Sequence, residues 1–159
     1  MNIKKTANLL LNFATKRLAE IFGIITFTSG TMLLVALISY SPEDPNFIFP
    51  ENTEIKNLLG FQGSYASDLL FQSVGIIAYL ISFTLMITGI NIFRIKEFFL
   101  IIGNIFFATL YCVFGTLFLT FFYSKGFTLY INGNGGFFGS YLNETFLNSL
   151  IQINEGVFY

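Results

Sequence analysis

Three long apolar segments constrain this chain more than any other feature. They run near Ile21 to Tyr40, Leu69 to Phe93 and Phe98 to Tyr123, and none contains a charged residue. The first holds 20 residues, which at a helical rise of about 1.5 Å each spans roughly 30 Å, the thickness of a bilayer hydrocarbon core. The two later segments are longer and fit with some tilt. A soluble fold would have to surround all three with polar sequence. Charged residues make up only 11% of the chain against 54% hydrophobic, so too little remains to do it. The first segment exceeds the 7 to 15 apolar residues, roughly, of a cleaved signal peptide and no small-x-small site follows it, so it reads as a retained signal anchor. The expected fold class is an all-α membrane protein, a polytopic helical bundle.

The basic residues set the expected topology. Lys4, Lys5, Lys16 and Arg17 precede the first span, Arg94 and Lys96 sit in the short connection between the second and third, and only Lys56 and Lys125 lie elsewhere. By the positive-inside bias, the N-terminus and the Phe93 to Glu97 turn are cytoplasmic, while the 41–68 loop and the 124–159 segment face the other side. Residues 1–20 mix Ile3, Leu10, Leu11, Phe13 and Leu18 with the four basic residues. That composition suits either an amphipathic helix lying on an anionic leaflet or a plain extension of the first membrane helix.

The outer loop is acidic, with Glu43, Asp44, Glu51, Glu54 and Asp68 against Lys56, and it holds all three prolines, Pro42, Pro45 and Pro50. Ser41-Pro42-Glu43-Asp44-Pro45 follows directly on the first span, where its fixed φ angles and turn-forming side chains stop the helix sharply. Asn57-Leu58-Leu59-Gly60-Phe61-Gln62-Gly63 reads as a turn feeding a returning helix. Ser64 or Ser67 would be its N-cap, and Asp68 would lie near the positive end of its dipole. The run Gly133-Asn134-Gly135-Gly136-Phe137-Phe138-Gly139 reads as a second turn, entering a helix expected over Phe137 to Ile153.

Catalytic signatures are missing. The chain has no histidine and one cysteine, Cys112, which removes the common general base and any intrachain disulfide or thiolate metal site. No Gly-x-x-x-x-Gly-Lys-Ser/Thr, Gly-x-Ser-x-Gly or His-Glu-x-x-His pattern is present. The spans carry none of the ionisable side chains that transporters and pumps place at depth. Their amides, Gln72, Asn91 and Asn104, suit hydrogen bonds between helices, and small residues such as Gly23, Gly30, Gly75, Gly89, Gly103, Ala108 and Gly115 suit close helix packing. Accordingly no catalytic, cofactor-binding or metal residue is expected in this chain.

Several of these motifs form one ordered pattern. Ser39-Tyr40-Ser41-Pro42-Glu43-Asp44-Pro45 closes the first span, Asn57 to Ser64 and Asp68-Leu69-Leu70-Phe71 open the second, and Gly75-Ile76-Ile77-Ala78-Tyr79 and Gly135-Gly136-Phe137-Phe138-Gly139-Ser140 follow. In this order and spacing the chain resembles the N-terminal membrane domain of the FtsK/SpoIIIE bacterial DNA translocases, the FtsK cell-division branch most of all. The resemblance implies four membrane helices with both ends cytoplasmic, in the inner membrane at the division septum. A linker and a cytoplasmic, hexameric ATP-driven motor that moves chromosomal DNA would follow. Three spans of an expected four are present, so the sequence reads as a piece stopping before the fourth helix. ATP, magnesium and DNA contacts belong to the motor and transfer to no residue here. The family-motif residues Ser41, Pro42, Glu43, Asp44, Pro45, Asn57, Gly60, Gly63, Asp68, Gly75, Gly135, Gly136 and Gly139 are expected to shape turns or touch partners: the lipid bilayer, other cell-division proteins and further copies of the chain. The competing reading is a small stand-alone membrane protein, such as a transporter accessory subunit or a holin-like pore former.

Overall fold

A computed structural model describes residues 3–45, 54–123 and 132–147. Among them every regular element is helical, and three stretches are long and apolar enough to cross a membrane: Ala7–Ile38, Gly60–Ile95 and Leu100–Phe122. Helices are what apolar solvent demands, because each backbone N–H and C=O must find its partner within the chain.

Helix α1 covers Ile3–Ile38 without interruption, so the basic N-terminal stretch is an extension of the first membrane helix. The second segment departs most from the sequence expectation. In place of one helix beginning near Leu69, α2 runs Gly60–Val74, a 3-10 turn occupies Gly75–Ile77, and α3 runs Ala78–Ile95. A straight helix of 36 residues would measure about 54 Å, well beyond one crossing. The break divides it, and α3 with 18 residues is about 27 Å long. Helix α4 is Leu100–Phe122. Helix α5 is Gly136–Leu142, followed by a π-helical turn at Asn143–Leu147. The remainder of the helix expected to Ile153 lies outside the described residues.

Helices α1 and α3 form the central antiparallel pair. A Cβ on Gly23 would lie 2.7 Å from the Phe93 nitrogen and 2.8 Å from the Gly89 oxygen, and one on Gly30 would lie 2.8 Å from the Met86 nitrogen. Tyr79 Oη donates to the Leu37 carbonyl at 3.2 Å. Each seven-residue advance along α1, from Gly23 to Gly30 to Leu37, therefore matches seven residues back along α3, from Phe93 to Met86 to Tyr79. The same register brings Lys96 Nζ to Glu20 Oε1 at 2.5 Å, with Arg17 Nη1 on Glu20 Oε2 at 2.5 Å. Packing of this kind needs backbones in contact, which in lipid replaces the hydrophobic drive available in water.

The register ends in a tight reversal. Lys96 adopts φ 63° and donates its N–H to the Ile92 carbonyl at 2.8 Å, closing α3 in the left-handed conformation usually given to glycine. Helix α4 joins α3 through two polar links at depth, Asn104 Nδ2 to Thr88 Oγ1 at 2.7 Å and a 2.9 Å bond between Thr84 Oγ1 and Tyr111 Oη. Asn104 thus does what its type suggests, whereas Asn91 makes no such bond among the described residues. Gly115 admits the Ile77 side chain, but Gly103 faces open space.

Candidate functional site: the capped turns at the Tyr40 and Tyr123 end

The family-motif residues gather at the end of the bundle where α1 and α4 terminate. A helix leaves its last carbonyls without intrahelical partners, and burying them unpaired is costly. Here side chains from the following turns supply the donors. Ser41 accepts the Asp44 N–H at 3.2 Å, closing a β-turn with Pro42 at its second position. The turn aims the Asp44 carboxylate inward. It is 4% exposed and accepts the backbone N–H of Lys56 and of Asn57, both at 2.8 Å. Asn57, equally buried, donates Nδ2 to the Ala36 carbonyl of α1 at 2.9 Å and accepts the Leu59 N–H on Oδ1 at 3.1 Å. One amide therefore caps the end of α1 and shapes the entry to α2.

The glycines of the first motif follow from this arrangement. Gly60 opens α2 at φ 66° with its N–H on the Asn57 carbonyl at 2.9 Å. A side chain on Gly63 would run into Asn57 Oδ1. Ser64 and Ser67 are not caps. Both are buried inside α2, Ser64 Oγ donating to the Pro45 carbonyl at 3.0 Å and Ser67 Oγ to the Gly63 carbonyl at 2.8 Å. Asp68 is not at the start of the helix dipole either, since α2 begins two turns earlier. Its carboxylate accepts Tyr40 Oη at 3.1 Å. Beside it Phe71 is fully buried between Tyr40 and Tyr79, with ring centroids 4.9 Å and 5.5 Å away. At the rim, the Lys56 ammonium bonded to Glu43 holds the Glu43 carboxyl below its usual range, and the same hydrogen bond raises Lys56.

The second cluster forms at the other end of α2. Asn134, 4% exposed, donates Nδ2 to the Tyr123 carbonyl that ends α4, at 2.8 Å, while its own carbonyl accepts the Ile76 N–H at 3.0 Å. Asn132 Nδ2 reaches the Gln72 carbonyl at 3.1 Å and Gln72 Oε1 at 3.2 Å. Gly75 has φ 60° and ψ −140°, and a Cβ there would strike the Asn134 carbonyl. Gly136, at φ 64°, lies against Gly75 and Ser73, and Gly135 and Gly139 lie against Thr116 and Thr120 of α4. So the structure joins Ser41, Pro42, Glu43, Asp44, Pro45, Asn57, Gly60, Gly63 and Asp68 into one cluster, and Gly75, Gly135, Gly136 and Gly139 into another, with α2 as the strut between them. The motifs include Tyr40 and Tyr79 but announce no role for either, and Asn132 lies outside them. The placing of an amide just ahead of each glycine turn was the signal available for Asn57 and Asn134.

Chemically, this assembly caps, spaces and fixes helices. Among the described residues, no group of three or more histidine, cysteine, aspartate or glutamate side chains converges as a metal site would require. Around the capped core lies an apolar rim, with Leu58 76% exposed and Phe61, Phe137 and Tyr141 each half exposed.

Residues 15–154 match the model of one family, described as the 4TM region of the DNA translocase FtsK/SpoIIIE. The chain belongs to that family. Proteins named DNA translocase FtsK are similar to it over about half of its length: 38% identical over 78 residues in Rickettsia bellii, 37% over 79 in Azospirillum brasilense and 32% over 72 in Rickettsia typhi. These stretches cover 49%, 48% and 45% of this chain, but only 10%, 12% and 10% of the respective relatives. No solved structure matches. The fold described above is thus that of an FtsK/SpoIIIE membrane region, a multi-pass helical domain whose conspicuous motifs build its capped turns.

Proposed function

We propose that this domain anchors an FtsK-like DNA translocase in the bacterial inner membrane and recruits it to the division septum. The match of residues 15–154 to the FtsK/SpoIIIE membrane region carries the reading. The structure supports a role in anchoring: its helices meet through glycine contacts and carbonyl caps, with no charged residue from Gly23 to Leu37 of α1 or from Tyr79 to Phe93 of α3. The Arg17, Glu20 and Lys96 cluster marks the cytoplasmic face, by the bias of basic residues toward that side, and the capped turns face outward. The outward rim around the exposed Leu58 is the surface offered to other division proteins. ATP hydrolysis, DNA movement and hexamer formation belong to a motor attached beyond this domain.

The test is to replace the domain, within the full-length protein, by an unrelated multi-pass membrane domain with the same termini topology. The fluorescent fusion should remain in the membrane and lose its accumulation at mid-cell. Undiminished septal accumulation would refute recruitment by this domain. Asp44→Ala in the otherwise native protein gives a finer version, since it releases the turn that carries the rim while leaving α1, α3 and α4 intact.

A further inference from the structure

The two clusters of capped turns are copies of each other. Gly60-Phe61-Gln62-Gly63-Ser64-Tyr65 and Gly136-Phe137-Phe138-Gly139-Ser140-Tyr141 differ at one position. In each, the first glycine opens the helix in the left-handed region, at φ 66° and φ 64°. Its N–H closes a turn on the carbonyl three residues back, Asn57 at 2.9 Å and Gly133 at 3.2 Å. Just ahead of each glycine a buried asparagine caps the preceding membrane helix, Asn57 on Ala36 at 2.9 Å and Asn134 on Tyr123 at 2.8 Å. The helices leading in also end alike: Leu34 to Ser41 and Leu117 to Ser124 share their first leucine and a closing Tyr-Ser. Aligned on those tyrosines, Leu33 and Leu37 of α1 correspond to Thr116 and Thr120 of α4. The first pair packs with Phe71 and Val74 of α2, and the second pair receives Gly135 and Gly139 at the entrance to α5. Sequence, backbone angle and cap therefore repeat together, whereas the packing partners differ, since the glycine alignment matches Gly135 and Gly139 to Leu59 and Gly63 rather than to Phe71 and Val74. Basic residues precede both leading helices, Lys16 and Arg17 before the apolar part of α1 and Arg94 and Lys96 before α4, so both copies point the same way.

In the first copy α2 leads into α3, which returns along α1 over Gly30 and Gly23. The same alignment places Val113 and Phe106 at those positions on α4, where they are 38% and 61% exposed. Beside them, a groove of about 330 Å³ opens among α2, α3, α4 and α5, walled by Val74, Ile81, Thr109, Val113, Phe138 and Leu142. We infer that the domain is an internal duplication with parallel halves, and that this face of α4 seats a membrane helix returning from α5, the counterpart of α3. The counterpart positions carry Val113 and Phe106 in place of glycines, so that helix stands further from α4 than α3 stands from α1. A parallel repeat of this kind relates the halves by an axis along the membrane normal.

The chain has no tryptophan, which allows single-tryptophan reporters. Val113→Trp and, as a second reporter on the groove, Thr109→Trp are compared in the full-length protein with Phe107→Trp, which replaces an exposed ring outside the groove. Fluorescence quenching by brominated phospholipid is measured in proteoliposomes. The expected result is quenching at positions 113 and 109 at least about twofold weaker than at 107, unchanged when lipid dilutes the protein. Equal quenching at all three positions would overturn the proposal, because the face would then meet lipid. Shielding that disappears on dilution would overturn it too, because the cover would then be a second copy of the protein.

Discussion

Replacing Gly75 by alanine should damage this domain more than the same change at any exposed glycine. Gly75 sits at φ 60° and ψ −140°, close to the region that only glycine occupies readily, where another residue costs about 1 to 3 kcal/mol. The added methyl group would also drive into the Asn134 carbonyl and approach the Gly136 nitrogen at 2.9 Å. Both neighbours are backbone and cannot rotate away. Moving Asn134 would stretch the 3.0 Å bond from the Ile76 N–H to its carbonyl, a further loss of about 1 kcal/mol. The sum is about 2 to 4 kcal/mol for Gly75→Ala. Gly60→Ala isolates the backbone contribution, because Gly60 has φ 66° but no atom within 4 Å of an added Cβ, and should cost only about 1 kcal/mol. Gly103, helical and with nothing within the same radius, should tolerate alanine without loss. Reversible unfolding by SDS in mixed micelles, followed by far-UV circular dichroism, gives the three differences on one scale. If Gly75→Ala costs no more than Gly60→Ala, the close approach of the two turns is not a feature of the folded protein.

Asn57→Ala should cost about 1 to 3 kcal/mol by stranding the buried Ala36 carbonyl, and Asn57→Asp should not rescue it, since a carboxylate has no N–H to donate. Unfolding of the two variants side by side checks this. Lys96→Gly loses the ion pair with Glu20 but relieves a non-glycine φ of 63°, a gain of about 1 kcal/mol. Lys96→Ala loses the pair without the relief and should be the less stable of the two by about 1 kcal/mol on the same scale. The bond between Glu43 and Lys56 lowers the glutamate pKa and raises the lysine pKa. Its contribution is therefore present between the two ordinary ranges. It is lost as pH falls through the depressed Glu43 value, and again as pH rises through the raised Lys56 value. Glu43→Gln should lower the loop's mid-range protection from limited proteolysis to the level the native protein reaches at acid pH, and so flatten the acid limb.

The membrane helices were legible in sequence because hydropathy reports the solvent of a segment. Helix α2 was not, because Gly60 to Asp68 alternates glycine, serine and aromatic residues and its stability comes from elsewhere in the chain. Asp44 and the Pro45 carbonyl hold it from across the loop, and the Asn57 amide from the turn just before it. For the same reason Ser64 and Ser67 looked like caps. Their oxygens are what a helix start needs, but the start had already been made by a glycine and an asparagine further upstream. Lys96 was read as part of the short connection between the second and third spans, where it ends α3, yet nothing local announces a lysine in the left-handed conformation. The two polar links from α4 to α3 show the opposite case. Asn104 could be foreseen as an amide in lipid, while Thr84 and Tyr111 are too ordinary in composition to stand out.

The uneven use of glycine bears on how such an anchor can transmit force. Along the α1 and α3 seam, Gly23, Gly30 and Gly89 bring backbones together, so the pair cannot slide by a fraction of a turn without losing contact over several residues at once. At the far end the carbonyls of both outgoing helices are tied by buried asparagines to turns that share α2 as a common strut. A pull applied at the Glu20 and Lys96 end is therefore carried to the capped turns by rigid elements. Among the described helices, α4 is joined to α3 by two hydrogen bonds at depth and to the α5 turn by the Asn134 cap. Loosening one asparagine cap should weaken that coupling without unfolding the seam, whereas enlarging Gly23 or Gly89 should separate α1 from α3 and remove the anchor altogether. Cysteine crosslinking of α1 to α3 in Asn134→Ala and in Gly89→Val proteins distinguishes the two. It should persist in the first and fail in the second, and persistence in both would mean that the seam is not held by backbone contact.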